Sequence, residues 1–500
     1  MLYHIVNMKR GLFKTLVLCL ALELPSLFGV WQATASAATL PVDCPTTPIV
    51  AHNVMPNSDA APLPVNGPTK LNLPTPTDDN SKMLKAALQS SVKYMVATWW
   101  RACYGQQTGP VTLGGIDEMH VRTPASAAFG IAAAIKTGAY DPAQTGVPTA
   151  TALQIAKNLA LGVAIHHISN DPNGWGYGKT IETNYWAATA GEAAWFLWPE
   201  LTSQEQQAVA RMVASQADYQ LNKPTATRVG YYTDAAGHVI SPGNTQAEED
   251  AWDANVLQLA TVMLSQDPRV PKWNRLNVEL EVASTSRPAD LTNTTLNLNG
   301  QTPSQWLNGT NILANGTLIN HGIIHPDYMA AIDQLNANNS LVDGLSGHYA
   351  PTASTFNAAA LYSGLTSVNF SSPPYAKPGG TIYAKTGGIY YPQGDDWGPR
   401  RFAHFAAVDV IANSIGYGRI YNAAGHAAPH LYYVLVQQSR FSDGRSYTGS
   451  YKDAGAEDKY YGREQWVLSS LAQAWVINYL GANHDLLYIN SSVISPGSSY

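Results

Sequence analysis

The sequence predicts an all-α fold: an (α/α) toroid, an incomplete α/α barrel of about six to seven helical hairpins, with a few short β-hairpins. Three observations carry this expectation. Apolar residues recur at helical spacing in a dozen or more segments of residues 80–500, no strand–helix–strand alternation interrupts them, and no repeat at the roughly 34 to 45 residue spacing of solenoids is present, so any pairing of helices is structural. A helical domain followed by a C-terminal β-domain is the alternative. It rests on residues 379–391 and 486–495, which could form short strands and are expected to give hairpins only.

In chain order, residues 1–37 read as a secretory signal peptide rather than as part of the fold. Met8-Lys9-Arg10 supplies the positive start, Leu16 to Leu22 the apolar centre and Ala35-Ser36-Ala37 the small-residue cleavage site. Cys19 follows Leu18, a poor match to a lipoprotein signal. Residues 38–79 are rich in Pro, Asn, Thr and Asp without an apolar period and read as an extended arm on the domain surface. After cleavage only Cys44 and Cys103 remain. In an oxidising compartment they suggest one disulfide tying the arm to the first helix, with two free thiols as the alternative.

The toroid follows over residues 80–500. Met83, Leu84, Ala87, Leu88, Val92, Met95 and Val96 stripe a first helix from Ser81 to Tyr104. Further helices are predicted near 123–137, 149–167, 183–198, 202–221, 245–264, 272–285, 303–314, 326–336, 353–366, 398–416, 429–438 and 457–480. Thr202-Ser203-Gln204-Glu205 opens one with a capping pattern, Asn244 or Thr245 with Glu248 opens another, and Gly230 and Gly416 to Gly418 mark exits.

Composition excludes several functions. Charged residues are 13% and the net charge is −6, which argues against a nucleic-acid binder that tracks phosphates. No segment of the mature chain is apolar and long enough to span a bilayer, so no membrane partner is expected, and the chain is expected to act as a secreted monomer. An acidic polymer would need a locally positive cleft. The 27 Tyr and 13 Trp suit sugar faces as well as cores.

Asn320-His321-Gly322-Ile323-Ile324-His325-Pro326-Asp327-Tyr328 packs two imidazoles, an amide and a phenol into one short stretch. On a helical turn His321, His325 and Tyr328 would share a face. Pro326 disfavours a helix running through His325 and could instead open one. Clustered titratable groups are a site signature, although a capped helix start with polar loop residues accounts for any one of them. In the acidic run from Glu248 to Asp253, Glu248, Trp252 and Asn255 fall on one face, and Glu248 or Glu249 is expected to point into the site.

Asn184, followed by Tyr185 and Trp186, is either the N-cap of its helix or a substrate contact. Trp175 and Tyr177, in a glycine-rich loop, suit a sugar-stacking platform or a packed loop. His120 and Arg122 lie at the mouth of a helix, with Arg122 a candidate carboxylate clamp or a structural salt bridge. Asp396 and Trp397, in the loop from Tyr390 to Arg401, suit the rim of a cleft. His321 and His325 with a carboxylate approach zinc-ligand spacing, but the intervening glutamate of zinc peptidases is missing and Pro326 disturbs the helix, so no metal and no cofactor is expected. No Gly-x-Ser-x-Gly elbow, phosphate loop or dinucleotide fingerprint stands in a convincing context.

Thr183-Asn184-Tyr185-Trp186 with Gly191 and Ala193-Ala194-Trp195, Asn244-Thr245-Gln246-Ala247-Glu248-Glu249, Asn320-His321 with His325-Pro326-Asp327-Tyr328, and Tyr391-Pro392 with Asp396-Trp397-Gly398 together resemble the secreted (α/α)-toroid polysaccharide lyases. The closest resemblance is to the family-38 lyases acting on glucuronan and alginate, with kinship to heparinase-like and other alginate lyases. It runs from about residue 80 to 480. The resemblance implies β-elimination in a 4-linked uronic acid polymer by a tyrosine, often with a histidine, without a redox cofactor. That reaction needs a neutralised substrate carboxylate, a base for the C5 proton and an acid for the leaving O4. Tyr328 is then the expected acid and also base, with His325 or His321 the other proton carrier. Asn184, Arg122 and a protonated Glu248 or Glu249 would neutralise the carboxylate, with His120, Trp175, Tyr177, Tyr185, Trp186, Trp252, Asn320, Asp396 and Trp397 binding substrate. The same toroid also carries glycoside hydrolases, for which Glu248 or Glu249 with Asp396 would be the carboxylate pair, and a noncatalytic glycan-binding protein is a third reading.

Overall fold

Helices start where the sequence supplies caps. Asp78 accepts from the Ser81 N–H at 3.1 Å, Asp117 from the His120 N–H at 3.2 Å, and Thr202 and Glu205 form the expected capping box. A computed structural model describes residues 41–45, 63–178, 182–223, 228–233 and 236–488. The proposed leader at 1–37 and arm residues 46–62 lie outside the described residues.

The longer helices are α1 Asp79–Lys93, α2 Glu118–Lys136, α3 Thr149–Ile165, α4 Thr183–Phe196, α5 Ser203–Asn222, α6 Ala247–Met263, α7 Val270–Ser284, α8 Pro326–Ser346, α9 Ala358–Thr366, α10 Phe402–Ile415, α11 Ala423–Ser439 and α12 Arg463–Ala482. A π-helical stretch, Tyr94–Trp99, carries α1 on to Cys103, in line with the predicted first helix. Among the described residues the lumen is lined by five of these helices, α2, α4, α6, α8 and α12. Helix α2 packs on α4, α4 on α6, α6 on α8, α8 on α12, and α12 returns to α2, which encloses the lumen. Helix α10 touches α8 and α12 from behind and lends the lumen no residue. Small residues permit the close inner packing: a Cβ at Gly130 would fall on Leu468 of α12, and one at Gly191 on Leu259 of α6.

The inner helices run parallel. Their N-terminal ends gather Arg122, Glu182, Glu248, Tyr328 and Trp466 at one mouth, while the other mouth is crossed by the arm. There the Asn66 N–H donates to Met263 O at 2.9 Å, the Thr69 and Lys70 N–H groups to Leu345 O at 2.8 and 3.0 Å, and Trp195 Nε1 to Asn66 O at 2.6 Å. The arm thus straps the C-terminal ends of α4, α6 and α8. Cys44 and Cys103 form the expected disulfide between the arm and the end of the first helical run. Among the described residues no helix is long and apolar enough to cross a membrane.

The strands fall elsewhere than expected. β1 Tyr231–Thr233 pairs antiparallel with β2 Val239–Thr245, and β3 Ile319–Asn320 with β4 Ile323–Ile324. Residues 379–391 take part only in isolated bridges, Phe370 with Gly380 and Tyr383 with Ile389, and of residues 486–495 the described part gives one bridge, Ala350 with Tyr488. The helix predicted at 303–314 shrinks to Pro303–Trp306. The one predicted at 326–336 runs on to Ser346, and the one predicted at 429–438 starts at Ala423 with Pro429 inside it.

Candidate active site

The histidine cluster is built by a hairpin and a helix start placed back to back. Asn320-His321-Gly322-Ile323 is a two-residue turn with φ of +50° at His321 and +78° at Gly322. Positive φ at both central positions is the signature of a type I′ turn, and holding a histidine left-handed costs about 1 kcal/mol or more. Strand β2 braces that conformation: the Gly322 N–H donates to Gly243 O at 3.1 Å, and Asn244 Oδ1 accepts from the His321 N–H at 2.5 Å. A Cβ on Gly243 would stand 2.6 Å from Gly322 Cα, so only glycine admits this approach.

Pro326 is the first residue of α8, as one of the two sequence alternatives has it, and His325 caps the helix. Its Nδ1 accepts from the Tyr328 N–H at 3.4 Å. The rings of His321, His325 and Tyr328 then lie edge to face, with centroids 5.3, 5.1 and 4.6 Å apart. Trp397 lies 4.6 Å from Tyr328 and 5.0 Å from His325.

Asp396 organises the cluster. One carboxylate oxygen is 2.6 Å from His321 Nδ1, the other 2.9 Å from His325 Nε2, and the Tyr328 hydroxyl is 3.0 Å from His321 Nε2. The partners assign the protons. A carboxylate only accepts, so His321 carries its proton on Nδ1 and His325 on Nε2. His321 Nε2 is left as an acceptor, and the Tyr328 O–H donates to it. The result is a chain from Asp396 through His321 to Tyr328.

Burial lowers the His325 pKa to about 4 against the opposing pull of Asp396, so His325 is neutral above that pH. Burial, reinforced by the charges of Glu248 and Asp396, holds the Tyr328 phenol well above its ordinary range. The surroundings therefore do not make Tyr328 a resting base, contrary to one part of its expected role. Asp396 itself lies below the usual carboxylate range, because hydrogen bonds and charge from the two imidazoles overcome its partial burial.

Beneath this chain lies a carboxyl-rich wall. Glu248, 4% exposed, leaves one oxygen with no hydrogen-bond partner, and burial together with the neighbouring Glu182 charge raises its pKa well above normal. Burial pushes Glu182 up to about 7, with Arg122 pulling the other way. Arg401 is held between Asp327 and Asp458 at 3.0 and 2.7 Å and stacks 4.9 Å from the Trp397 ring, fixing the floor of the cluster. The lumen continues inward past Tyr185, Trp252, Asn255, Asn338, Tyr460 and Trp466.

The sequence expectations divide accordingly. His321, His325, Tyr328, Asp396, Trp397 and Glu248 converge, and Asn320 is buried next to them with its side-chain oxygen unpartnered. Asp396 proves to be the organising carboxylate of the cluster rather than only a rim residue. Tyr185 and Trp252 line the lumen.

Glu249 does not join the cluster. It pairs with Lys223 at 2.8 Å, which also holds Asp253 at 3.0 Å. Asn184, 2% exposed, has its amide consumed by Gln220, Asp253 and Gln216, so it is neither a cap nor a free donor. Arg122 meets Glu118 at 2.6 Å and Glu182 at 3.6 Å and lies 4.2 Å over Tyr460, which makes it the structural salt bridge rather than an open clamp. His120 is buried on Asp117 at 2.7 Å. Trp175 is wholly buried with Nε1 on Val163 O, and Trp186 is wholly buried with Nε1 on Glu182, so neither is a sugar platform. Tyr177 is 38% exposed and stacks on Tyr219.

Sequence reasoning missed Arg401 and Asn244 as members of the site. A signal existed for Arg401: a cation opening an apolar helix opposes the helix dipole and needs acids to hold it there.

His321, His325 and Asp396 bring potential ligand atoms within 4.8 Å of one another. They do not fit a metal in this arrangement. A metal on His325 Nε2 would put the ring proton on Nδ1, facing the Tyr328 N–H. No protein-family profile, curated protein or solved structure matches this chain.

Proposed function

We propose that the chain is a secreted polysaccharide lyase that cleaves a 4-linked uronic-acid polymer of the glucuronan or alginate type by β-elimination. The observation that carries this reading is the hydrogen-bonded chain Asp396–His321–Tyr328, which joins a base and an acid 3.0 Å apart with a carboxylate behind the base. Below it, Glu248 offers the proton of a neutral carboxylic acid to a substrate carboxylate. Five parallel helix N-termini converge there and favour an anion.

His321 Nε2, freed from the phenol when substrate enters, removes the C5 proton. The electron pair forms the C4=C5 double bond as the C4–O4 bond breaks, and Tyr328 gives its proton to O4. The imidazolium is held by Asp396, and returning its proton to Tyr328 along their shared hydrogen bond resets the pair. His325 orients Asp396 and caps α8 without changing charge. The leader predicted from the sequence and the Cys44–Cys103 disulfide support secretion.

A hydrolase reading has one supporting observation: Glu248 is shifted up and Asp396 down, as a general acid and its partner would be. Both Asp396 oxygens, however, already accept from imidazoles, which ties this carboxylate to the two histidines as the lyase relay requires.

Incubation with glucuronan, alginate and glycosaminoglycans, followed in the near ultraviolet, decides between them. The lyase yields an unsaturated uronide that absorbs there, a hydrolase yields reducing ends without it, and a noncatalytic binder yields neither. If Tyr328→Phe keeps full activity on every polymer the wild type cleaves, the assignment is wrong.

A further inference from the structure

On the outside of the barrel, away from the lumen, two adjoining hollows share one arginine. The first, of about 560 Å³, lies between α5 and α7 and includes Leu221, Arg269, Lys272, Arg275 and Leu276. The second, of about 250 Å³, opens beside Val270, Asn274, Arg275, Val278 and Trp306.

The charges at these hollows are not equivalent. Arg269 is spent on Asp218 and Asp267, and Glu279 faces Arg228 at 3.8 Å. Lys272 and Arg275 are exposed, and neither meets a carboxylate among the described residues. Arg275 is nevertheless ordered by its neighbours. Its guanidinium lies 4.9 Å over the Trp306 ring, and Trp306 Nε1 is anchored on Leu298 O at 3.1 Å. With its side-chain oxygen turned to the guanidinium, Gln301 accepts from both terminal nitrogens at 3.0 and 3.1 Å.

An arginine pre-set flat on an indole, with donors to spare, binds a carboxylate with little ordering cost, and the indole edge beside it offers an apolar seat for a sugar. Lys272 stands three residues earlier on the same face of α7, roughly 4.5 Å along the axis, a separation comparable to one sugar unit of an extended chain.

We propose that this outer face is a second binding site for acidic polysaccharide, with Arg275 on Trp306 holding one uronate and Lys272 its neighbour along the chain. The ligand class rests on the proposed lyase activity; the binding does not. Such a site raises the local concentration of polymer at the barrel and leaves the chemistry untouched.

The test is electrophoresis through native gels containing sodium alginate or polyglucuronate, with a neutral hydroxyethylcellulose gel as reference. Tyr328→Phe protein is used so that no polymer is cut. The expected result is retardation only in the acidic gels, and an apparent Kd about tenfold weaker when Lys272→Ala and Arg275→Ala are added. In the otherwise wild-type chain, the same two changes should lower the rate on polymer several-fold and leave kcat/KM on a trisaccharide unchanged. Equal retardation with and without the two changes overturns the proposal, as does equal retardation in the neutral gel. If the wild type yields no unsaturated product while the two changes still weaken retardation, the lyase reading fails and the outer site stands.

Discussion

Asp396→Asn is the sharpest perturbation of the site, because the amide keeps the size of the carboxylate and changes only its hydrogen bonding. In the wild type both carboxylate oxygens accept, at 2.6 Å from His321 and 2.9 Å from His325. Asparagine has one oxygen and one NH₂ to divide between them. His325 must donate through Nε2 because its Nδ1 takes the Tyr328 N–H, so the amide oxygen goes to His325 and the NH₂ faces His321 Nδ1. His321 then changes tautomer and carries its proton on Nε2, toward the Tyr328 hydroxyl. It can no longer accept from the phenol or take a proton from substrate.

Loss of a positioned general base costs roughly 10² to 10³ in rate. The lost charge adds to this. An imidazolium and a carboxylate about 4 Å apart attract by about 4 kcal/mol at an effective dielectric of about 20. Asp396 is 45% exposed, and screening brings that to about 1 kcal/mol, a factor of five or so. The expectation is a fall in kcat of about 10³ with KM changed less than about threefold, since Asp396 itself binds no sugar. The assay is initial rate from near-ultraviolet absorbance on the polymer the wild type prefers, with circular dichroism and a thermal melt to show that the fold is kept. A variant retaining more than about a third of wild-type kcat would refute the relay, because no arrangement of the amide preserves both tautomers.

Other outcomes follow from the same geometry. Glu248→Gln preserves a neutral donor and should hold kcat/KM within about threefold, whereas Glu248→Ala should lose about 10²; a Gln variant as inactive as Ala would instead favour Glu248 as a hydrolase acid. Glu248 must be protonated to receive a carboxylate. Its pKa is raised well above the usual carboxylate range by burial and by the Glu182 charge, so activity should fall on the alkaline side as Glu248 ionises, and the Gln variant should show a flatter alkaline limb in a kcat/KM profile. His325, at about 4, contributes no acid limb above that pH. Gly243→Ala would drive a methyl into Gly322 and shift the His321 turn; a displacement of about 1 Å costs on the order of 10² in kcat, measured beside a melt that should move only slightly. Cys103→Ser releases an arm held by a cross-link spanning 59 residues, with an expected loss of about 4 kcal/mol by denaturant titration, while initial rates below the transition stay near wild type.

The fold was legible because inner and outer helices carry caps and apolar periods that short windows detect. The sequence did not show that the inner ring has five members, because α10 is as apolar as its neighbours and only packing puts it behind α8 and α12. At the site, the nine residues from Asn320 to Tyr328 were legible for a partly accidental reason. Four-residue spacing groups His321 and His325 on a helix, and a type I′ turn followed by a proline-led helix start groups them equally well.

Asn184, Trp175 and Trp186 misled for a common cause. A polar or aromatic residue in a loop or at a helix start looks the same whether it faces a cleft or the packed interior, and in this fold all three are buried. Asp396 lies 71 residues beyond His325 and Arg401 74 beyond Asp327, and nothing local marks that pairing. Together they show how the cluster is assembled from a distance. The loop joining them puts a carboxylate behind His321 and Trp397 above the Arg401 guanidinium, while Asp327 on α8 ties that guanidinium to the helix carrying Tyr328. One strand of chain thereby sets both the base and the platform against the acid. Substitutions at Arg401 should accordingly disturb catalysis through Trp397 and Asp396 together, a coupling that a double-mutant cycle with Asp396 would read as strongly non-additive.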